Sequence, residues 1–584
     1  LRKIILSIAF VFVSAISMAQ ILSPDRQTDW TIAGYDGQQN LDFPIINFLD
    51  YGGFNDGFTA NDALLSTLLN EYNNSGIIVF FPEGDYLFNY SIRLSDNEIL
   101  RGESAEFTRF EFDLGGIGHC ILATGNVVNG SVLLNENTVL NEYELSLTDV
   151  SDFQIGDYFH LSENDAAIVF SDWAVGCAGQ INKIENIEGN NISTSYPIRR
   201  MFYTNRNAAI KKVNLVKHVG IENLTIHRLD ETANQTNNIY FNYAANCWVS
   251  CIRSYNCNFS HIEISNSTNI EVTGSYFKDG FSYGSGGKAY GVCLDYSTGQ
   301  CLIQDNIFEH LRHSMMAQLG ANGNVFAYNY SKNPFWTEVG ILPANSAGDL
   351  VLHGNYAYLN LFEGNIVQNI VIDDSHGSNG PFNTFFRNRA ELYGIFMNFL
   401  PPSNQQNFIG NEITNGAPTY GLYSLAGTGH YQFGNNKHEN VIPAGTNNPP
   451  TESFYLTEIP EYYHETWPPI GLPNTINQHT IEAKERYSNQ LLTFCQDEIT
   501  GIINLSTDDI DVFPSITKGL IFIDGEPNLL EQLKSIQVYD IHGKLYSTSI
   551  KSTSLNLSGY SNGIYLLRFV FDDLPSVSKK IIKY

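Results

Sequence analysis

The polar and apolar positions of this chain repeat. From residue 301 to 436 a short apolar segment ends in the same way six times: "CLIQDN", "NVFAYN", "NLFEGN", "NTFFRN", "QNFIGN" and "YQFGNN". One apolar residue recurs at Ile303, Phe326, Phe362, Phe385, Phe408 and Phe433, and an asparagine closes each segment at Asn306, Asn329, Asn365, Asn388, Asn411 and Asn436. The steps between the asparagines are 23, 36, 23, 23 and 25 residues. Upstream, Asn223, Cys251 and Gly274 hold the equivalent places. Short apolar runs separated by polar turns at this period do not suit helical repeats. They predict the coils of a right-handed parallel β-helix, each stacked on the last at about 4.8 Å. The apolar column should face inward. The asparagines should sit at turns, where the side chain can bond its own column and the backbone can enter the left-handed region.

Departures from the period mark the ends and the insertions. Over residues 45–102, Asn61 is placed to cap a helix whose apolar positions are Leu64, Leu65, Leu68, Leu69 and Tyr72, and a strand from Ile77 to Phe81 follows. Such a helix would cover the open end of the stack. Residues 140–200 alternate in strand fashion around Gly-Asp and Gly-Asn turns, which predicts a small β insertion before the main coils at 215–440. Longer steps place two inserts among the coils. One is the glycine-rich "DGFSYGSGGKAYG" (279–291), and the other is "SKNPFWTEVGILPANSAG" (331–348), which carries Phe335 and Trp336. Aromatic faces beside a groove suit sugar rings. Residues 441–510 are proline-rich at first and read as a closing segment and linker, and 511–584 form a separate all-β module.

The first nineteen residues read as a secretory signal: Arg2 and Lys3, an apolar run from Ile4 to Ile16, then "SMA" at 17–19. That run is too short to span a bilayer comfortably, and no later segment is long and apolar enough. Export permits disulfides, but the eight cysteines are not spaced as a disulfide scaffold or a structural zinc site, and most of them read as small buried hydrophobes. The formal net charge is −29 with 16% charged residues, and no Lys/Arg stripe argues for nucleic-acid binding.

Two resemblances add to this reading. "DYGG…DG…ND" followed by "FFPEGDYLF" resembles the N-terminal segment of the pectate-lyase superfamily, which includes rhamnogalacturonase- and epimerase-like β-helix proteins; the resemblance covers about residues 45 to 440. It implies a carbohydrate substrate. "VYDIHGK", "LSGYSNGIYLL" and the terminal "KKIIKY" resemble the C-terminal sorting domain of the type IX secretion system of Bacteroidetes, which implies passage through that machinery and release or surface attachment.

Candidate chemistry lies in the coils that repeat "HG" at 353 and 376. Seven residues before each ladder start stand Leu294, Ala317, His353, His376 and Phe399. The two histidines face either the core or a groove. Asp373 and Asp374 precede His376, Asp295 lies one position from the same column, and Arg312, His313, Arg387 and Arg389 belong to the same coils. Together these give a proton acceptor, a proton donor and a charge clamp. His353, His376, Asp373, Asp374 and Asp295 are thus the catalytic candidates. Arg312, His313, Arg387, Arg389, Phe335 and Trp336 are the candidates for binding a polysaccharide. Asp373 and Asp374 are also candidate Ca²⁺ ligands, without further oxygen ligands in view. "DDSHG" is similar to the acid pair and histidine motif of the polygalacturonase-like hydrolases. That family, however, spreads these residues over separate coils and ends with R-x-K, where "RNR" stands here. The paired-arginine signature of the pectate lyases is not visible. Three classes therefore remain open: a lyase or hydrolase acting on a polysaccharide, a glycan-binding or adhesin-like β-helix, and a passive surface protein.

Overall fold

The computed structural model describes residues 21–35, 43–73, 75–338, 347–459, 466–495 and stretches of 510–583. The expected signal segment, 1–19, lies outside the described residues. The chain divides into two compact units, one reaching Phe494 and the other beginning at Cys495.

The first unit is a parallel β-helix. A 13-stranded sheet forms one wall, from Ile45–Asn47 to Tyr431–Phe433. A 21-stranded sheet resolves by its pairing into two further parallel columns, closed by one antiparallel strand, Asn440–Ile442. These columns merge where Ile366–Asp373 and Arg389–Asn398 run through the corner as single long strands. In the first wall Ile303, Phe326, Phe362, Phe385 and Phe408 are in direct register. The rings of Phe326, Phe362, Phe385 and Phe408 stack at centroid distances of 5.2, 5.0 and 5.2 Å, nearly parallel. The stack ends sooner than the spacing predicts, because Gln432 rather than Phe433 opposes Phe408.

The asparagines form a hydrogen-bonded ladder. In Asn306, Asn329, Asn365, Asn388 and Asn411 the side-chain amide donates to the next rung's carbonyl oxygen at 2.9–3.1 Å. The backbone N–H of each donates to the same oxygen. The last rung is Asn435, not Asn436. The left-handed residue is the one before each asparagine: Asp305, Tyr328, Gly364, Arg387 and Gly410. Asn223, Cys251 and Gly274 belong to that left-handed column, so the asparagine side chains only bond the turn that their predecessors make. A second ladder, Asn324–Asn360–Asn383–Gln406, runs along the neighbouring corner.

At the N-terminal end the helix Asp62–Glu71 buries Leu65, Leu68 and Leu69. Asn61 does not cap it by side chain; its amide clasps the backbone of Phe54 instead. The insertion is an antiparallel sheet whose strands run from Asn126–Val127 to Ala209–Asn214, wider than 140–200. Its own core includes Leu147, Phe159, Ile184, Ile198 and Phe202. The segment after the coils lies against the outside of the first unit. Arg387 donates to the carbonyls of Pro450, Ile470 and Leu472, and Arg486 on the short helix Glu482–Ser488 pairs with Asp305 at 2.7 Å.

The second unit has a three-stranded and a five-stranded sheet over one core of Ile521, Ile536, Val538, Leu557, Leu567 and Phe569. Six cysteines are buried free thiols: Cys120, Cys177, Cys247, Cys257, Cys293 and Cys301. No helix among the described residues is long and apolar enough to cross a membrane.

Candidate active site

In the third column, Leu294, Ala317, Leu352 and Ile372 oppose one another inside the core. Their successors face outward along the same line: Ser265, Asp295, Gln318, His353 and Asp373. His353 therefore does not take the place of Ala317, as the count back from the ladder suggests, but the next one. His376 lies beyond the strand, in the turn after Asp373. The "HG" glycines have a plain cause. Both Gly354 and Gly377 have φ near +80°, and a Cβ on Gly377 would lie 2.1 Å from Cβ of Phe170 in the insertion. A side chain would be strained there and would collide with its neighbour.

This outward line forms the floor of a cleft of about 520 Å³. Asp295, Gln318, Arg312, His353 and His376 line it, together with His119, Tyr240, Glu263, Tyr290, Tyr296 and Trp173. The rings of His353 and His376 are 4.9 Å apart and nearly perpendicular. His353 Nδ1 lies 2.6 Å from Asp373 Oδ2. Burial would raise the Asp373 carboxyl, but the imidazole and the N–H and hydroxyl of Ser375 hold it well below the usual carboxylate range. Burial, then the neighbouring His353, lowers His376.

Behind them is His313, whose Nδ1–H donates to the Gly348 carbonyl at 2.6 Å and whose ring is 5.4 Å from that of His353. Its buried Nε2 has no partner. Burial, then Arg312 and His353, pushes it well below the ordinary imidazole value, so it stays neutral. Arg312 lines the cleft and also braces its rim. It donates to the carbonyls of Gly284 and Gly286 and stacks over Trp336.

The acid end of the cleft holds Asp295 and Glu263. The hydroxyl of Ser265 bridges the two, within hydrogen-bond distance of both carboxyl groups and with its one hydrogen to give. Burial raises Glu263, and burial with the charge of Glu263 raises Asp295 well above the usual carboxylate range. Each carboxyl thus disfavours the ionisation of the other. Asp295 and His353 stand two rungs apart, about 9.5 Å along the wall, with Gln318 between them. A carboxyl pair and an imidazole thus flank one shared floor.

Other candidates are elsewhere. Asp374 does not join Asp373. It is tied to Ser403 by the N–H at 3.1 Å and by the hydroxyl, and burial lifts it to about 6. Nor do the two acids converge as cation ligands; among the described residues no group of three or more His, Cys, Asp or Glu side chains could hold a metal ion. Arg387 and Arg389 lie outside the cleft. Arg387 serves the closing segment, and Arg389 pairs with buried Glu412 at 2.6 Å. Phe335 packs on Tyr283 and His310. Glu263 escaped sequence reasoning, although it is the charged position in "HIEIS" between two buried isoleucines. A strand that alternates this cleanly turns its polar residues outward.

Comparison with known proteins adds two domain assignments. Residues 45–270 match the family model described as rhamnogalacturonase A/epimerase, pectate lyase-like, and residues 511–584 match the secretion system C-terminal sorting domain. Among proteins of curated function none matches this sequence. Among solved structures, the tailspike gp49 of Pseudomonas phage LKA1 aligns at 14% identity over 63% of this chain and 64% of its own, with a TM-score of 0.49; this chain thus spans slightly under two thirds of that protein. The tailspike gp61 of Pseudomonas phage phi297 aligns at 14% identity over 68% and 75%, with a TM-score of 0.45. The catalytic unit of a GH87 alpha-1,3-glucanase from Streptomyces thermodiastaticus aligns at 11% identity over 71% and 68%, with a TM-score of 0.39. Residues 45–270 of the parallel β-helix are thus similar to the rhamnogalacturonase A/epimerase, pectate lyase-like family, and the C-terminal type IX sorting domain directs the chain to the cell surface or exterior.

Proposed function

We propose that this protein is an exported enzyme that cleaves glycosidic bonds of a polysaccharide in the cleft between Asp295 and His353. The observation that carries the reading is the placing, on one cleft wall, of the Asp295–Glu263 carboxyl pair bridged by Ser265 and of the His353 imidazole, whose Nδ1 lies 2.6 Å from Asp373. The pectate lyase-like match and the export domain agree with it.

The same two groups serve either reaction. In hydrolysis His353 takes a proton from water as it attacks the anomeric carbon, and Asp295 gives a proton to the departing oxygen. In β-elimination His353 takes the proton next to a uronate carboxyl group, a double bond forms, and Asp295 again protonates the departing oxygen. Arg312 is the cation near enough to meet an acidic sugar. The experiment is a polysaccharide panel read by reducing ends and by ultraviolet absorbance of unsaturated products. Reducing ends with absorbance identify a lyase, and reducing ends alone a hydrolase. Binding without either signal would replace the enzyme with a glycan-binding β-helix.

A further inference from the structure

The antiparallel insertion contributes one side chain to the cleft, Trp173. It sits on the single turn Asp172–Ala174, with its ring centroid 6.1 Å from that of His376 and the two rings nearly perpendicular. The turn is firmly held. The backbone N–H groups of Phe170 and Ser171 donate to the side-chain oxygen of Asn355 at 3.2 and 3.1 Å, and the Asn355 amide returns a bond to Ser171. On its far side the N–H groups of Gly176 and Ala178 donate to the Asp165 carboxylate at 2.7 and 2.9 Å. Yet Trp173 itself is 59% exposed. A turn bonded at both ends that still turns its largest apolar surface to water, at the mouth of a cleft, is pre-organised for a ligand rather than for the core.

We infer that Trp173 is the platform on which one sugar ring of the substrate stacks, so that the insertion is a wall of the binding groove and helps set which sugar lies beside His376. The inference rests on the polysaccharide reading above. The occupant is a pyranose face with several C–H groups on one side, because a flat aromatic ring pairs with such an apolar face while the hydroxyls at the ring's edge reach Gln318, Tyr296 and Arg312 around it.

The test uses the full chain and the polysaccharide that the panel identifies. Trp173→Ala should raise KM roughly ten-fold and lower kcat by less, and Trp173→Phe should recover most of the loss. A Trp173→Ala protein with the parent's melting curve and the parent's KM would overturn the inference. If nothing on the panel is cleaved, affinity electrophoresis through each polysaccharide decides. Weaker retardation of Trp173→Ala than of the parent supports the platform. Equal retardation removes it and leaves glycan binding in place, and no retardation of either protein removes both readings.

Discussion

At the scale of single residues, the site depends on two groups whose environments pull in opposite directions. Asp295 must carry a proton to act as an acid, and burial beside Glu263 shifts its carboxyl in that direction. His353 must be free of one to act as a base, and burial holds the neighbouring His376 below the ordinary imidazole value. The cleavage rate should therefore fall at low pH as the imidazoles protonate. It should fall again at high pH as the carboxyl pair loses its last proton, at a pH well above the usual carboxylate range. Measuring rate against pH checks both limbs, and in Glu263→Gln the alkaline limb should move to lower pH because the like charge is gone. Asp295→Asn and His353→Ala should each cut the rate by about 10²–10⁴ while the melting curve shows the fold kept. Full activity in either variant would remove that residue from the mechanism. His376→Ala should keep export and folding intact and lose most activity on the same assay.

Elements show where the sequence was readable and where it was not. The first wall keeps its 23-residue step between rungs such as Asn365 and Asn388, so its phenylalanine and asparagine columns could be counted directly. The third column does not keep that step, because the corner before it is rounded by turns of different length. Counting back from the asparagines thus placed His353 opposite Ala317, when the pairing puts it opposite Gln318 and Asp373. Asp295, Arg312, His353 and His376 were still legible as a group, since stacking brings neighbouring coils together whatever the register error. Glu263 was hidden behind the glycine-rich insert that separates its coil from the next. Arg387 and Arg389 were misread because a guanidinium that anchors a closing segment looks the same in sequence as one that holds a substrate. The ladder supplies its own test. Asn388→Ala removes the oxygen that accepts from Asn365 twice and the donor to Phe362. At about 1–3 kcal/mol for each buried group left unpaired, the melting temperature should fall by many degrees. Phe385→Ala should cost about 3–5 kcal/mol by opening a gap in the ring stack, read as a lower denaturant midpoint.

For the whole molecule, the proposed cleavage and the delivery belong to different parts of the chain. Removing residues 511–584 should abolish appearance at the surface or in the medium while the remaining protein keeps its cleavage activity in cell extracts. Fractionation and assay of the two pools would show this, and continued export of the truncated chain would contradict it. The two compact units make that separation physically reasonable, because each buries its own core.

The amide ladder has a direction, and that has a consequence for how the protein ends. Every rung hands one amide hydrogen forward and the other back to the preceding coil, so the forward hydrogen of the final rung would be left reaching for a coil that does not exist. At Asn435 the spare hydrogen is taken up by the Tyr423 hydroxyl at 3.3 Å and by the carbonyl of Ile442 at 3.4 Å, on the strand that doubles back antiparallel. The chain's reversal is thus a full stop written in the same alphabet as the sentence. Without it, the natural next word would be a coil borrowed from another molecule.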